Sequence, residues 1–322
     1  MIDKKLSVIV PCKNEEEVLD KFYERSIKVI KQLTSNYEII FINDGSNDKT
    51  LDVMLKLSKR DNNILVIDLS RNFGKELALT AGIDASTGDA IVPIDADLQD
   101  PPELIKDMWA KWNEGYEVVY ATRTSRQGES FLKKFTAKIF YILMSKIVVI
   151  NIPKNTGDFR LMDKMVVNAL KELRERNRFM KGLFSWVGFK QYSLLYVREP
   201  RFAGKTKFKF FKLLDFAVDG ITSFTYSPLR IASFLGFITF FFSMVYALFI
   251  VIHRLTTQND ISGYASTLVF ILFFGGVQLL SVGLIGEYIG RIYEEVKQRP
   301  LYLVKQIYGN RNKTTPTLKT SI

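Results

Sequence analysis

The sequence has one cysteine, Cys12, and one histidine, His253. A single cysteine excludes any disulfide within the chain and fits a reducing compartment. The histidine stands at the end of an apolar run with no ligand residues beside it, which leaves it without a metal or catalytic role. The apolar run at residues 6–10 is too short for the h-region of a signal peptide, so the N-terminal part is expected in the cytoplasm. Acidic charge is also in deficit: 34 Asp and Glu stand against 45 Lys and Arg, a net +11, and the basic residues crowd after residue 197. Such a surplus calls for anionic partners, namely lipid head groups, nucleotides or nucleic acid. Because these basic residues cluster beside apolar runs, nucleic acid is not an expected partner. What is abundant is hydrophobicity, 47% of residues with 13% aromatic, concentrated in the last third of the chain.

The N-terminal part alternates short apolar runs with helical periodicity. Strands are expected at residues 6–10, 38–42, 64–67, 90–94 and 117–121, with helices over 16–33, from 75 to about 85, and from about 103. This alternation predicts an α/β fold with a mainly parallel sheet covered on both faces. Ligands of such sheets bind outside the carboxyl ends of the strands. Polar clusters follow the runs: Pro11 to Glu15, Asn43-Asp44-Gly45-Ser46, Arg71 to Lys75, Asp95 to Glu103, and Arg123. In the fourth cluster Asp95 and Asp97 are spaced i, i+2, and alternation along a strand predicts that they converge where it ends. Two carboxylates with the Gln99 amide suit Mg²⁺ or Mn²⁺ carrying phosphate oxygens.

Pro11-x-x-Asn14-Glu15, Asn43-Asp44-Gly45-Ser46, Arg71-Asn72-x-Gly74-Lys75 and Asp95-Ala-Asp-Leu-Gln-Asp-Pro-Pro-Glu103, in this order, resemble a family 2 glycosyltransferase of the GT-A fold. More narrowly they resemble the polyprenyl-phosphate glycosyltransferases, and the likeness covers essentially the whole chain. It implies that Pro11, Lys13 and Glu15 border the nucleobase and ribose, and that Asp44 accepts from the base. Arg71, Lys75, Asp95 and Ala96 complete the nucleotide-sugar site, and Asp95, Asp97 and Gln99 hold a divalent cation, Mg²⁺ or Mn²⁺. Asp97, Arg123 and Asp158, the last in the polar stretch 155–161, are the implied catalytic residues; the family usually nominates Asp158 as general base. A phosphate monoester has a second pKa near 6 and needs little deprotonation at neutral pH. Asp158 is therefore either a base or a group that positions Arg160 or the sugar. The stretch from Arg198 to Lys207 resembles the family's R-x-x-G-x-S/T-K element, with Arg201 and Lys207 on the diphosphate or acceptor phosphate. One departure is Asn43, where the family commonly has an aspartate.

Residues 131–150 and 205–224 interleave lysines with phenylalanines and aliphatics at helical spacing, as amphipathic helices of a membrane interface do. Apolar runs at about 229–252 and 265–289 are each long enough to cross a bilayer. The short link predicts a hairpin, and the basic residues that follow it put both ends in the cytoplasm. Gly283, Gly286 and Gly290 form a small-residue face fit for close helix contact. The expected organisation is a GT-A core at 1–130, an acceptor-side region at 131–228, a transmembrane hairpin at 229–290 and a basic cytoplasmic tail at 291–322. The resemblance implies an inverting enzyme that moves a hexose, with UDP-glucose as first donor, onto a polyprenyl (undecaprenyl) phosphate for cell-surface glycan modification. GDP-mannose, UDP-N-acetylhexosamine and UDP-aminoarabinose derivatives remain alternatives. A processive polysaccharide synthase is the other rival, though the chain has no Q-x-x-R-W element. The implied location is the inner (plasma) membrane, multi-pass with a cytoplasmic catalytic domain. Implied partners are the nucleotide sugar, the lipid phosphate, a second copy of the chain, a lipid-sugar flippase and a downstream polytopic glycosyltransferase.

Overall fold

The computed structural model describes residues 4–124, 153, 155–176, 178–199, 227–257 and 263–309. The expected interfacial helices at 131–150 and 205–224, with Arg201 and Lys207, lie outside the described residues. In chain order the elements are β1 (Leu6–Cys12), α1 (Leu19–Leu33), β2 (Tyr37–Asn43), α2 (Thr50–Arg60), β3 (Ile64–Leu69), α3 (Lys75–Ala85), β4 (Ala90–Pro93) and α4 (Leu104–Asn113). Then follow β5 (Val118–Arg123), β6 (Thr156–Asp163), α5 (Lys164–Glu172), α6 (Met180–Trp186), β7 (Gln191–Tyr196), α7 (Ser227–Thr257), α8 (Tyr264–Lys297) and β8 (Val304–Tyr308).

The strands form one sheet in the order β7-β5-β6-β4-β1-β2-β3-β8. Six strands run one way, and β6 and β8 run against them. Alternation along each strand divides the core. Leu6, Val8, Val10, Ile39 and Phe41 face the layer of α1, α2 and α4, with Phe22, Ile30, Met54 and Ile105 packed among them. Ile9, Ile40, Ile42 and Ile67 face the opposite layer of α3, α5 and α6. Helix α3 lies so close that a Cβ on Gly82 would collide with the Ile9 and Ile42 side chains. That contact explains why α3 is buried from Ala78 to Ala85.

The expected organisation is corrected at four points. The catalytic core does not stop near residue 130, because β6, β7 and β8 belong to its sheet. The polar stretch 155–161 is mostly strand: Phe159 and Leu161 enter one core layer and Met162 the other, a period of two hidden by polar neighbours. Nor is the tail after residue 290 simply a basic extension. Helix α8 continues to Lys297, Gln298 ends it in the left-handed conformation (φ 47°), and β8 returns to cover the edge of β3. Pairing there satisfies strand groups that would otherwise be exposed. The return is also clamped by Tyr302, whose hydroxyl donates to buried Asp84 at 2.7 Å, beside Arg174 at 2.8 Å. Helices α7 and α8 contain the apolar stretches Ala232–His253 and Thr267–Lys297, long enough to cross a membrane. The first helix begins at Leu19 rather than at 16, because the backbone N–H groups of Glu15 and Glu16 donate to Thr50, the first residue of α2, and to Asp48 just before it.

The Asn43 departure has a local reason. Asn43 and Asp68 are register partners on β2 and β3, both buried, and the Asn43 amide donates to Asp68 at 2.7 Å. A second carboxylate there would face the first without a donor between them. We expect Asn43→Asp to destabilise the detergent-solubilised chain by about 2 kcal/mol at neutral pH. The loss should shrink on acidification, as one carboxyl of the pair takes up a proton. Thermal unfolding at pH 7.5 and pH 5 measures both.

Candidate active site

Every parallel strand from β1 to β5 delivers a loop to the same end of the sheet. Antiparallel β6 starts there, so its first residues join the cluster. The loops brace one another. Gly45 (φ 60°) lies against the next loop, where a Cβ would stand 2.5 Å from the Asn72 nitrogen, so only glycine fits. Asp44 is buried, and its two oxygens accept the backbone N–H groups of Phe73 (2.6 Å) and Gly74 (3.0 Å). Its carboxylate therefore shapes the Arg71–Lys75 loop. Arg71 is exposed, with its guanidinium 4.1 Å from the Phe73 ring centroid. Pro11, Lys13 and Glu15 line the β1 end half-buried. Cys12 is buried just beneath, and burial, then Glu15 and Asp95, push its thiol well up, which makes it a poor nucleophile.

The Asp95 cluster is a turn rather than a strand end. β4 stops at Pro93, and Leu98 takes a left-handed conformation (φ 57°), so strand alternation does not set the directions of Asp95 and Asp97. Asp95 turns to Lys75, whose Nζ lies 2.7 Å away. Asp97 is buried beside Ala96, and one of its oxygens accepts the Gln99 backbone N–H at 3.1 Å. The Gln99 carbonyl accepts from Glu199 at 3.1 Å, and Arg25 bridges Glu103 and Glu199 at 2.7 Å each. At the other side of the turn Asp100 accepts from the Tyr196 hydroxyl, and Arg123 donates to that same hydroxyl at 3.2 Å. Burial and then Asp100 push the Tyr196 phenol up to about 12.

Lys75 joins the two halves of the site. Its Nζ is also 2.7 Å from the Asp158 carboxylate at the start of β6. Burial would raise the Asp158 pKa, but Lys75, Lys181 and Arg160 outweigh it and hold the group down to about 2. Arg160 does not meet that carboxylate. It donates to the backbone carbonyls of Gly157 (2.8 Å) and Asp158 (3.3 Å) and lies 3.8 Å from the Phe184 ring centroid. Two further members escaped the sequence reading. Glu76 follows Lys75 in the helix and accepts the Met180 backbone N–H at 3.3 Å; burial, then Asp158, raise it to about 7. Lys181 is a lone lysine in the apolar stretch 179–184, and that isolation was the available signal; burial lowers its pKa despite Asp158. No local pattern announces Tyr196, whose partner Asp100 is 96 residues away.

Asp95, Asp97 and Gln99 supply hard oxygen donors of the kind Mg²⁺ and Mn²⁺ take. Among the described residues no three His, Cys, Asp or Glu side chains are grouped as a closed metal site. A cation here would complete its shell with substrate phosphate and water, as Mg²⁺ commonly does.

A polar cluster at the carboxyl ends of a mainly parallel sheet covered on both faces, with antiparallel β6 inserted, is the GT-A arrangement of a sugar-transferring enzyme. The family model for glycosyl transferase family 2 matches residues 7–171, and that for the GtrB C-terminal hairpin matches residues 227–292. The chain belongs to glycosyltransferase family 2. It is 55% identical over 304 residues to an uncharacterized glycosyltransferase of Synechocystis, covering 94% of this chain and 96% of that protein. It is 46% identical over 308 residues to the bactoprenol glucosyl transferase of Shigella phage SfII, covering 95% and 99%. It is 45% identical over 304 residues to a prophage bactoprenol glucosyl transferase homolog of Escherichia coli, covering 94% and 99%. The solved mannosyl-3-phosphoglycerate synthase of Rubrobacter xylanophilus is a more distant likeness, with 16% identity over 67% of this chain and 71% of that one and a TM-score of 0.46.

The Asp158 environment gives a pH prediction. Its folded pKa of about 2 lies below that of an unstructured aspartate, about 3.9. The Lys75 ion pair therefore stabilises the fold above about pH 4 and is lost as pH falls from there towards 2. Across pH 6–9 Asp158 stays ionised, so Asp158→Asn should slow single-turnover sugar transfer on the order of 10²-fold by the same factor at both limits. A deficit that closes as pH rises would return the residue to the role of base.

Proposed function

We propose that the enzyme transfers glucose from UDP-glucose to a polyprenyl phosphate at the cytoplasmic face of the membrane, with inversion at the anomeric carbon. The observation that carries this reading is the likeness to bactoprenol glucosyl transferases along nearly the whole chain, hairpin included. The geometry supports it. The polar site and the two long apolar helices belong to one chain whose β8 ties the end of α8 to the catalytic sheet, so the acceptor is met at a bilayer surface.

In this mechanism Pro11, Lys13 and Glu15 border the nucleoside, while Asp44 holds the Arg71–Lys75 loop against it. Asp95, Asp97 and Gln99 would hold a divalent cation, which when bound neutralises the leaving diphosphate. Lys75 keeps Asp95 and Asp158 at fixed separation, so the sugar meets a preorganised floor and orientation costs little during reaction. Asp158, held near pKa 2, is a weak base; it orients Lys75 while the lipid phosphate, already mostly dianionic at pH 7, attacks the anomeric carbon as the C–O bond to the diphosphate breaks. Arg123, held by the Tyr196 hydroxyl, would serve as a phosphate-binding cation; the family resemblance assigns Arg201 and Lys207, outside the described residues, to the diphosphate or acceptor phosphate.

Two experiments address this reading. Membranes holding the full chain, given a panel of labelled nucleotide sugars, should pass label from UDP-glucose into lipid. Asp97→Asn should cut that chelator-sensitive transfer by about 10²-fold. Label entering lipid only from GDP-mannose or a UDP-N-acetylhexosamine would replace the donor, and a chelator-insensitive parent would remove the cation. For topology, a reporter beside Gly263 should lie outside the cytoplasm and one after Ile322 inside; a cytoplasmic Gly263 reporter would end the spanning-hairpin reading.

A further inference from the structure

Where the end of α8 faces the β3–α3 loop, the protein forms a half-open cavity of about 780 Å³. Five cations line it: Arg71, Arg176, Arg291, Lys297 and Arg299. The two acids on its wall are Glu287 and Glu294, and Glu287 is paired with Arg291 at 3.0 Å. Among the described residues no carboxylate forms an ion pair with Arg71, Arg176, Lys297 or Arg299, and five cations against two acids leave the lining net positive. The segment carrying Arg176 is docked on α8, for its backbone N–H donates to Glu295 at 2.6 Å. Gly286 and Gly290 also line the cavity, and a Cβ on either would meet nothing within 4 Å. Within this chain, part of the small-residue face, Gly286 and Gly290, therefore opens onto the cationic cavity. Leu77, Pro300 and Leu301 add an apolar floor.

The cavity's place on the helix restricts what it can take. The apolar run of α8 fades at about residue 289, where Glu287, Arg291, Glu294 and Lys297 begin. Residues 286–297 rise about 16 Å along the axis, enough to cross a head-group layer of roughly 5–8 Å. We propose that this cavity binds the phosphate of a lipid head group, at a site separate from the Lys75 centre. Arginine forks match phosphate oxygens in pairs, and the apolar floor receives the first carbons of the lipid, which a free phosphate would not need. One wall, Phe73, lies in the loop that Asp44 holds, so the occupied cavity adjoins the nucleotide side of the active site. The proposal rests on the hairpin being embedded in a bilayer, and the same chemistry is offered by a bulk anionic phospholipid and by polyprenyl phosphate.

The test uses the purified full chain, delipidated in detergent and titrated separately with phosphatidylglycerol, polyprenyl phosphate and phosphatidylcholine, with bound lipid counted by native mass spectrometry. Two variants are compared with the parent: Arg176→Gln with Arg299→Gln, which removes charge, and Gly286→Leu with Gly290→Leu, which fills the space. Thermal unfolding identifies any variant that has not folded. The parent should retain an anionic lipid over phosphatidylcholine, and both variants should lose it on the order of tenfold. Loss of phosphatidylglycerol names a bulk phospholipid as the occupant, and loss of polyprenyl phosphate names the acceptor lipid. Unchanged retention of both by the charge variant, folded like the parent, overturns the site. Flotation with phosphatidylcholine vesicles separates the two readings: a parent that does not float defeats the embedded hairpin, whereas one that floats without anionic preference defeats the cavity site alone.

Discussion

One ammonium group between two carboxylates organises the working end of this protein. Lys75 begins α3, Asp95 follows β4, Asp158 starts β6, and both contacts are 2.7 Å. Asp158 is largely buried, and its charge would be costly to keep without a close partner. Removing the lysine would leave two like charges facing each other. Lys75 therefore ties the three segments together, and the sheet holds their approach because β4 and β6 are hydrogen-bonded neighbours. A site already organised in this way spends little binding energy on ordering itself.

A second constraint comes from the far end of the chain. After two helices that expose phenylalanine, leucine and isoleucine along most of their length, the backbone returns and adds β8 to β3. Tyr302 then reaches Asp84 on α3, the helix whose other end carries Lys75. The apolar hairpin is thus coupled to the catalytic layer by strand pairing and by a buried hydrogen bond. That coupling fixes the distance between the apolar hairpin and the reaction centre, a separation a loose linker would leave variable.

Asp44 and Asn43 illustrate how adjacent residues divide the work. Asp44 gives both oxygens to backbone amides of the next loop, while Asn43 turns away to donate to Asp68 across the ladder. An amide at 43 supplies the donor that Asp68 needs and that an aspartate lacks.

The sequence by itself determined what repeats over short distances. Apolar runs of four or five residues marked β1 to β3, helical periodicity marked α1, and two long apolar runs marked the hairpin, because burial is written locally as a period of two or 3.6 or as an unbroken stretch. Family motifs marked the residues gathered at the strand ends. Tertiary structure decided which of them touch. Strand alternation does not reach Asp95 and Asp97, because β4 ends before them, and polar neighbours masked the period of β6. The Tyr196–Asp100 and Lys75–Asp158 pairs join segments about 80 to 100 residues apart, and β8 pairs with a strand more than 230 residues earlier. Such contacts leave no periodic trace, since charge pairing and edge closure depend on where the folded sheet brings distant segments and not on the spacing of neighbours along the chain.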